Sequence, residues 1–205
     1  DPRAGAPADL DLPYGVDQLI ATRVDRLPAP LRHTLEAAAV LGRTFALPLL
    51  RGMGADGDNT AGQFAGELEG QIEELEQRSF LYCEHAEPPA EFSFRHVLLQ
   101  VAVYQMLPDH RRNTLHLHAA QAMERLYADN LDAHVDALAY HYARTSDLRR
   151  AVEYLLKAGA AARAVFANGP AVAYFQGALD RLAQLDAEGQ GTEHLTWSAA
   201  WHQLG

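Results

Sequence analysis

The sequence predicts a mainly helical chain that carries one small β-hairpin and divides into two parts. Three observations lead there. Apolar residues recur at the three- and four-residue spacing of a helix face over most of the 205 residues. That period yields to a β-prone pattern in one region, Phe80-Leu81-Tyr82-Cys83 and Glu91-Phe92-Ser93-Phe94, around the turn-forming EHAEPPA. Beyond residue 107 the helical period continues, interrupted mainly by turn residues such as Gly169-Pro170.

The elements follow in order. Residues 1–13, rich in Pro, Ala and Asp without any period, read as a linker. The next segment, 14–27, places Val16, Leu19, Ile20, Val24 and Leu27 on one helical face and turns Arg23, Asp25 and Arg26 away from it. Pro28 and Pro30 stop that helix and open another, because proline is tolerated in a first turn. The second helix carries Leu31, Leu35, Ala38, Ala39 and Leu41, and Gly42 is its natural end. Phe45, Leu47, Leu49 and Leu50 predict a short third helix or its approach, followed by a Gly/Asp/Asn loop over 52–62. A fourth helix over roughly 61–79 has Phe64, Leu68, Ile72 and Leu75 as its inner stripe. Its outer side bears Glu67, Glu69, Glu73, Glu74 and Glu76, with Arg78 in the last turn.

The chain is organised around EFSFRHVLLQVAVYQML, residues 91–107. Alternating Phe92, Ser93 and Phe94 form a strand, and from Val97 the period becomes helical through Leu98, Val101, Ala102 and Leu107. Arg95 and His96 therefore stand at a helix N-terminus, where free backbone N–H groups and the helix dipole favour an anion, typically a phosphate. The plainer alternative is a partly buried histidine satisfied by its neighbours. Three or four helices followed by a hairpin is the order of a winged-helix domain, here 14–107. In versions that bind DNA, the helix before the hairpin enters the major groove. Its glutamates would meet the phosphate charge of DNA with like charge, so a DNA-binding regulator is the second reading.

Residues 108–205 are expected to form a helical bundle leading into repeats. Helices are predicted over 109–127, over 131–143, and after Asp147 as N-cap, with another beginning at Gly169-Pro170. Within 152–185 lies a degenerate tetratricopeptide pattern, with Gly159 at the close-packing position and Ala171, Phe175 and Ala178 at the small, aromatic and small positions. One such repeat needs stacked neighbours. Residues 186–205, with Trp197 and Trp201, read as the start of the next.

Composition narrows the function. Net charge is −10, which disfavours generic binding to nucleic acid or anionic membranes. The lone Cys83 forbids an internal disulfide and a cysteine-based zinc site, and suits a reducing cytoplasm. No apolar run reaches the ~18–20 residues of a membrane span. The chain opens on Asp1, as expected of a segment of a longer protein.

Four stretches, LIATRVDRLP, LEAAAVLGRTF, FSFRHVLLQVAVYQML and RRNTLHLHAAQAME, occur in this order. Together they resemble the segment that follows the nucleotide-binding core in bacterial STAND signalling ATPases, over roughly residues 12–185. Such ATPases are often fused to class III nucleotide cyclase or LuxR-type DNA-binding domains. The resemblance implies a winged-helix domain packed on an ATPase core, ADP or ATP held by that core, and helical repeats that receive a protein or small-molecule signal. It implies that His96, with Arg95 beside it, contacts the β-phosphate of ADP and holds the resting state. In immune-receptor relatives the corresponding histidine lies in a Met-His-Asp motif, where this chain has Arg before it and Val after.

No chemistry of the chain's own is expected. It has no G-x-x-x-x-G-K-[ST] phosphate loop, the glycines at 52, 54 and 57 being followed by Asp58-Asn59. His110, His116, His118, His134 and His141 crowd one region without i, i+4 ligand spacing, so a metal site is not expected. His116, which matches the family's Arg-x-x-x-x-His spacing from Arg111, is expected to pack or hydrogen-bond between helices. Ser79, Ser93 and Ser146 have no nucleophile context. A plain scaffold without a nucleotide role is the third reading.

Overall fold

The computed structural model describes residues 16–54 and 61–187. It is mainly helical, with a small three-stranded antiparallel sheet, and divides after Leu126 into two units. The expected linker 1–13, the loop core 55–60, and Trp197 and Trp201 lie outside the described residues.

The first unit opens with α1 (Val16–Asp25) and α2 (Ala29–Leu41). Pro28 sits extended before α2 and Pro30 occupies its first turn, where a missing N–H costs nothing. The alanine run of α2 is what lets it sit at the centre. Leu35, Ala38 and Ala39 are wholly buried, and the small side chains admit α4, α5 and α6 close to its backbone. Gly42 then takes a φ of 118°, a conformation costly for any residue with a Cβ, and redirects the chain into β1 (Thr44–Ala46).

After β1 come α3 (Leu47–Met53), α4 (Ala61–Gln77), β2 (Leu81–His85) and β3 (Glu91–Phe94). The sheet order is β1-β3-β2. Phe45 faces Phe92 and Leu81 faces Phe94 across the strands, so one face of the sheet is an aromatic layer on the core. On the other face the Thr44 and Ser93 hydroxyls lie 2.6 Å apart, and Ser93 donates to the Glu84 carboxylate. Leu68, Ile72 and Leu75 of α4 are buried as expected. The side chain of Phe64 lies outside the described residues. α4 ends with the Phe80 N–H bonded to the Leu75 carbonyl and the Ser79 N–H to that of Glu76, placing Ser79 in the left-handed region at φ 59°. α5 (Val97–Met106) and α6 (Asp109–Leu126) complete the unit.

Two sequence expectations change here. The approach to α3 is a strand, because Thr44–Ala46 finds a partner in β3 nearly fifty residues away. The division falls at 126/127 rather than 107/108. Helix α6 buries Ala119 and Ala122 within the first unit's core, and the Cβ of Ala122 lies 3.1 Å from where a side chain on Gly52 of α3 would begin.

The second unit starts with a 3-10 stretch, Ala128–His134, where a single helix over 131–143 was expected, and continues as α7 (Val135–Tyr142). Asn130 leaves helical geometry and separates the two. Then follow α8 (Leu148–Ala164) and α9 (Asn168–Ala187). Asp147 caps α8 as expected, its Oδ1 accepting from the Arg150 N–H at 3.0 Å. The rings of Tyr142 and Tyr154 stack at 5.1 Å between α7 and α8. Arg181 of α9 donates to the carbonyl of Ala143, at the end of α7, at 2.6 Å. The α8–α9 pair closes around a missing side chain. A Cβ on Gly159 would lie 2.4–2.7 Å from three ring carbons of Phe175. Ala171, Phe175 and Ala178 are all buried on the facing side of α9.

Candidate functional site

The site expected at the head of α5 is built by two strands and a buried helix. Phe94 is fully buried, and its N–H donates to the Arg43 carbonyl at 2.9 Å, so the end of β3 is pinned. The Arg95 N–H donates to the Phe80 carbonyl at 2.9 Å. From there α5 runs inward. Leu99, Gln100, Val101, Ala102 and Val103 are buried in succession, and the Gln100 side-chain amide donates to the Ala39 carbonyl of α2 at 2.7 Å. The entry to the helix, Arg95, His96 and Val97, is exposed, as are Gln105 and Met106 at its far end.

His96 is the N-cap residue of α5, extended at φ −136° and ψ 137°. Its carbonyl accepts from the N–H groups of Leu99 at 3.0 Å and Gln100 at 3.4 Å, while its side chain makes no capping bond. His96 is exposed, where the plainer alternative had it partly buried. Arg95 lies beside it, its guanidinium 5.5 Å from the centre of the Tyr82 ring on β2. One guanidinium, one imidazole and the positive end of a helix therefore occupy one exposed rim, an arrangement suited to an anion. Sequence reasoning missed a third residue of the neighbourhood. Arg23 of α1 lies 4.7 Å over the Phe80 ring and donates to the Arg78 carbonyl at 3.1 Å. Only its polar character was legible, since its partners are more than fifty residues away.

Comparison with family models, curated proteins and solved structures finds no match.

The remaining histidines disperse. His116 of α6 is fully buried, and its Nε2 lies 2.9 Å from the Tyr104 hydroxyl of α5, the interhelical contact expected of it. His134 stacks on Tyr127 at 3.7 Å. His141 is buried in α7. Desolvation, reinforced by the charge of Arg144, holds its pKa down to about 3. Among the described residues no three His, Cys, Asp or Glu side chains are grouped to hold a metal ion. No described helix is long and apolar enough to cross a membrane.

The outer side of α4 is acidic, as expected. Glu67, Glu69 and Glu73 are exposed, Glu69 pairs with Arg51 of α3, and Glu74 pairs with Arg78 at 2.6 Å. The two arginines near that side are thus already engaged by carboxylates.

Proposed function

We propose that the chain is a regulatory segment of a STAND-type signalling ATPase, with a winged-helix domain in its first unit and a tetratricopeptide-like hairpin in its second. The run α2–β1–α3–α4–β2–β3 is the helix–strand–helix–helix–strand–strand order of a winged helix, and the pairing of Gly159 with Phe175 suits a repeat hairpin. One observation carries the functional reading. His96 is exposed at the head of a helix whose middle, Leu99 to Val103, is buried, with Arg95 beside it. In this reading its imidazole donates to the β-phosphate of ADP held by the nucleotide-binding core, and thereby stabilises the ADP-bound resting state. The helical repeats receive the protein or small-molecule signal, and the chain itself turns nothing over. α4 is not a DNA reader, since its acidic face would have to approach phosphates of the same sign.

The test is ADP affinity in a protein that joins this chain to its nucleotide-binding core. A charge-assisted hydrogen bond contributes roughly 1.5–3 kcal/mol, so His96→Ala should loosen ADP by about 10- to 150-fold. Because the side chain is exposed, the melting temperature without nucleotide should not move. A folded His96→Ala protein with unchanged ADP affinity would refute the phosphate role.

A further inference from the structure

At the opposite end of α5 from His96, about 15 Å along the helix, the first unit carries a groove of about 370 Å³. That falls within the ~300–1,000 Å³ typical of small-molecule sites. Its floor is apolar: Val24 of α1, and Val103 and Leu107 at the end of α5, are all buried. Around the floor stand two cations and two anions, with the imidazoles of His33 and His110 among them. Arg111 of α6 faces Glu36 of α2, with Nε to Oε2 at 3.4 Å. The other two, Asp25 at the end of α1 and Arg32 in α2, have no side-chain hydrogen bond or ion pair among the described residues.

The balance of charge selects the ligand. A simple anion drawn to Arg32 would be repelled by Asp25 and Glu36, and a simple cation would meet the converse. Bulk electrostatics therefore favours neither. A molecule carrying both signs on an apolar body gives Arg32, Asp25 and the apolar floor each a partner. We propose that this groove binds a zwitterion of the α-amino-acid type. Its carboxylate pairs with the guanidinium of Arg32, whose planar fork matches two carboxylate oxygens. Its ammonium donates to the carboxylate of Asp25. Its apolar side chain covers Val24, Val103 and Leu107. The Arg111–Glu36 pair closes the far wall and contributes no net charge. A peptide terminus presents only one of the two charges at a time, so the free amino acid is the better complement.

The probe is L-phenylalanine, titrated into the intact chain and followed by amide chemical shifts in the α1–α2 turn. N-acetylphenylalanine lacks the cation and phenylalaninamide lacks the anion. Phenylalanine should bind saturably, and each derivative at least about tenfold more weakly, which corresponds to about 1.4 kcal/mol per lost charge. Arg32→Gln should bring phenylalanine down to the level of its amide while keeping its advantage over the acetyl derivative. Asp25→Asn should do the reverse. Asp25 is exposed and Arg32 half-buried, so both variants should melt like the parent chain. The proposal is overturned if phenylalanine gives no saturable shift, if either derivative binds as tightly as phenylalanine, or if folded variants keep the full selectivity. The three-ligand comparison on the unaltered chain is enough to reject it without any variant.

Discussion

Replacing Gly159 with alanine sets two physical effects against each other, and the structure says which wins. Alanine is a better helix former than glycine by about 1 kcal/mol in a helix interior, so propensity alone predicts a gain. Position 159 lies within α8, but the added Cβ would sit 2.4, 2.7 and 2.7 Å from three carbons of the Phe175 ring. Those distances are far inside the ~3.5–4.0 Å optimum for carbon pairs. Phe175 is 1% exposed and so has no solvent-filled space to retreat into. Overpacking of this kind costs about 1–3 kcal/mol, and rigid ring carbons argue for the upper end. The net expectation is a loss of about 2 kcal/mol. It should be read locally, by hydrogen exchange of α8 and α9 amides, which should speed up by about 30-fold. A double-mutant cycle isolates the cause. With Phe175→Leu already present, Gly159→Ala should be neutral or stabilising, giving a coupling of about 2–3 kcal/mol. If Gly159→Ala alone slows exchange in the hairpin, the close-packing argument is wrong.

Three further outcomes are expected. The folded chain holds His141 uncharged down to about pH 3, whereas the unfolded chain protonates it near 6.5. The unfolded state therefore binds the extra proton between those values, and stability from this residue, complete above pH 6.5, should fall by about 1.4 kcal/mol per pH unit toward pH 3. Denaturant titrations at pH 7 and 4.5 should show that slope, and a folded His141→Leu variant should lack its share of it. Gln100→Leu should destabilise the first unit by about 1–3 kcal/mol, measured by urea unfolding, because the Ala39 carbonyl loses a buried donor; an unchanged midpoint would mean that water replaces the amide. Ser79→Gly should raise stability by about 0.5–1 kcal/mol in thermal melts, since only glycine occupies a φ of 59° without strain; a drop would show that the hydroxyl does more than end α4.

Most of the helices were legible because their apolar stripes and their Pro and Gly boundaries are local signals. Leu68, Ile72 and Leu75 on α4 and the Pro28–Pro30 junction are examples. What stayed hidden depends on partners distant in sequence. Thr44-Phe45-Ala46 is too short to show a period, and it is a strand only because β3 pairs with it. The placement of α6 in the first unit rests on small residues, Ala119 and Ala122 against Gly52, whose spacing alone does not say which helix they meet. The exposure of His96 likewise follows from where Phe94 and Gln100 anchor the chain on either side.

The hydroxyl pair Thr44–Ser93 with the Glu84 carboxylate acts as an alignment key for the sheet. A hairpin such as β2–β3 can form from nearby residues alone, and its pairing steps irregularly between Cys83 and His85. Shifting one strand by a single residue would exchange its two faces, bringing phenylalanine to the hydroxyl side and serine to the aromatic layer. Only when Ser93 presents its hydroxyl opposite Thr44 can β1 add to the edge of β3 with Phe45 against Phe92. β1 therefore checks the hairpin's pairing from outside it. The step at which β1 docks is also the step that fixes the direction in which Arg95 and His96 leave the sheet.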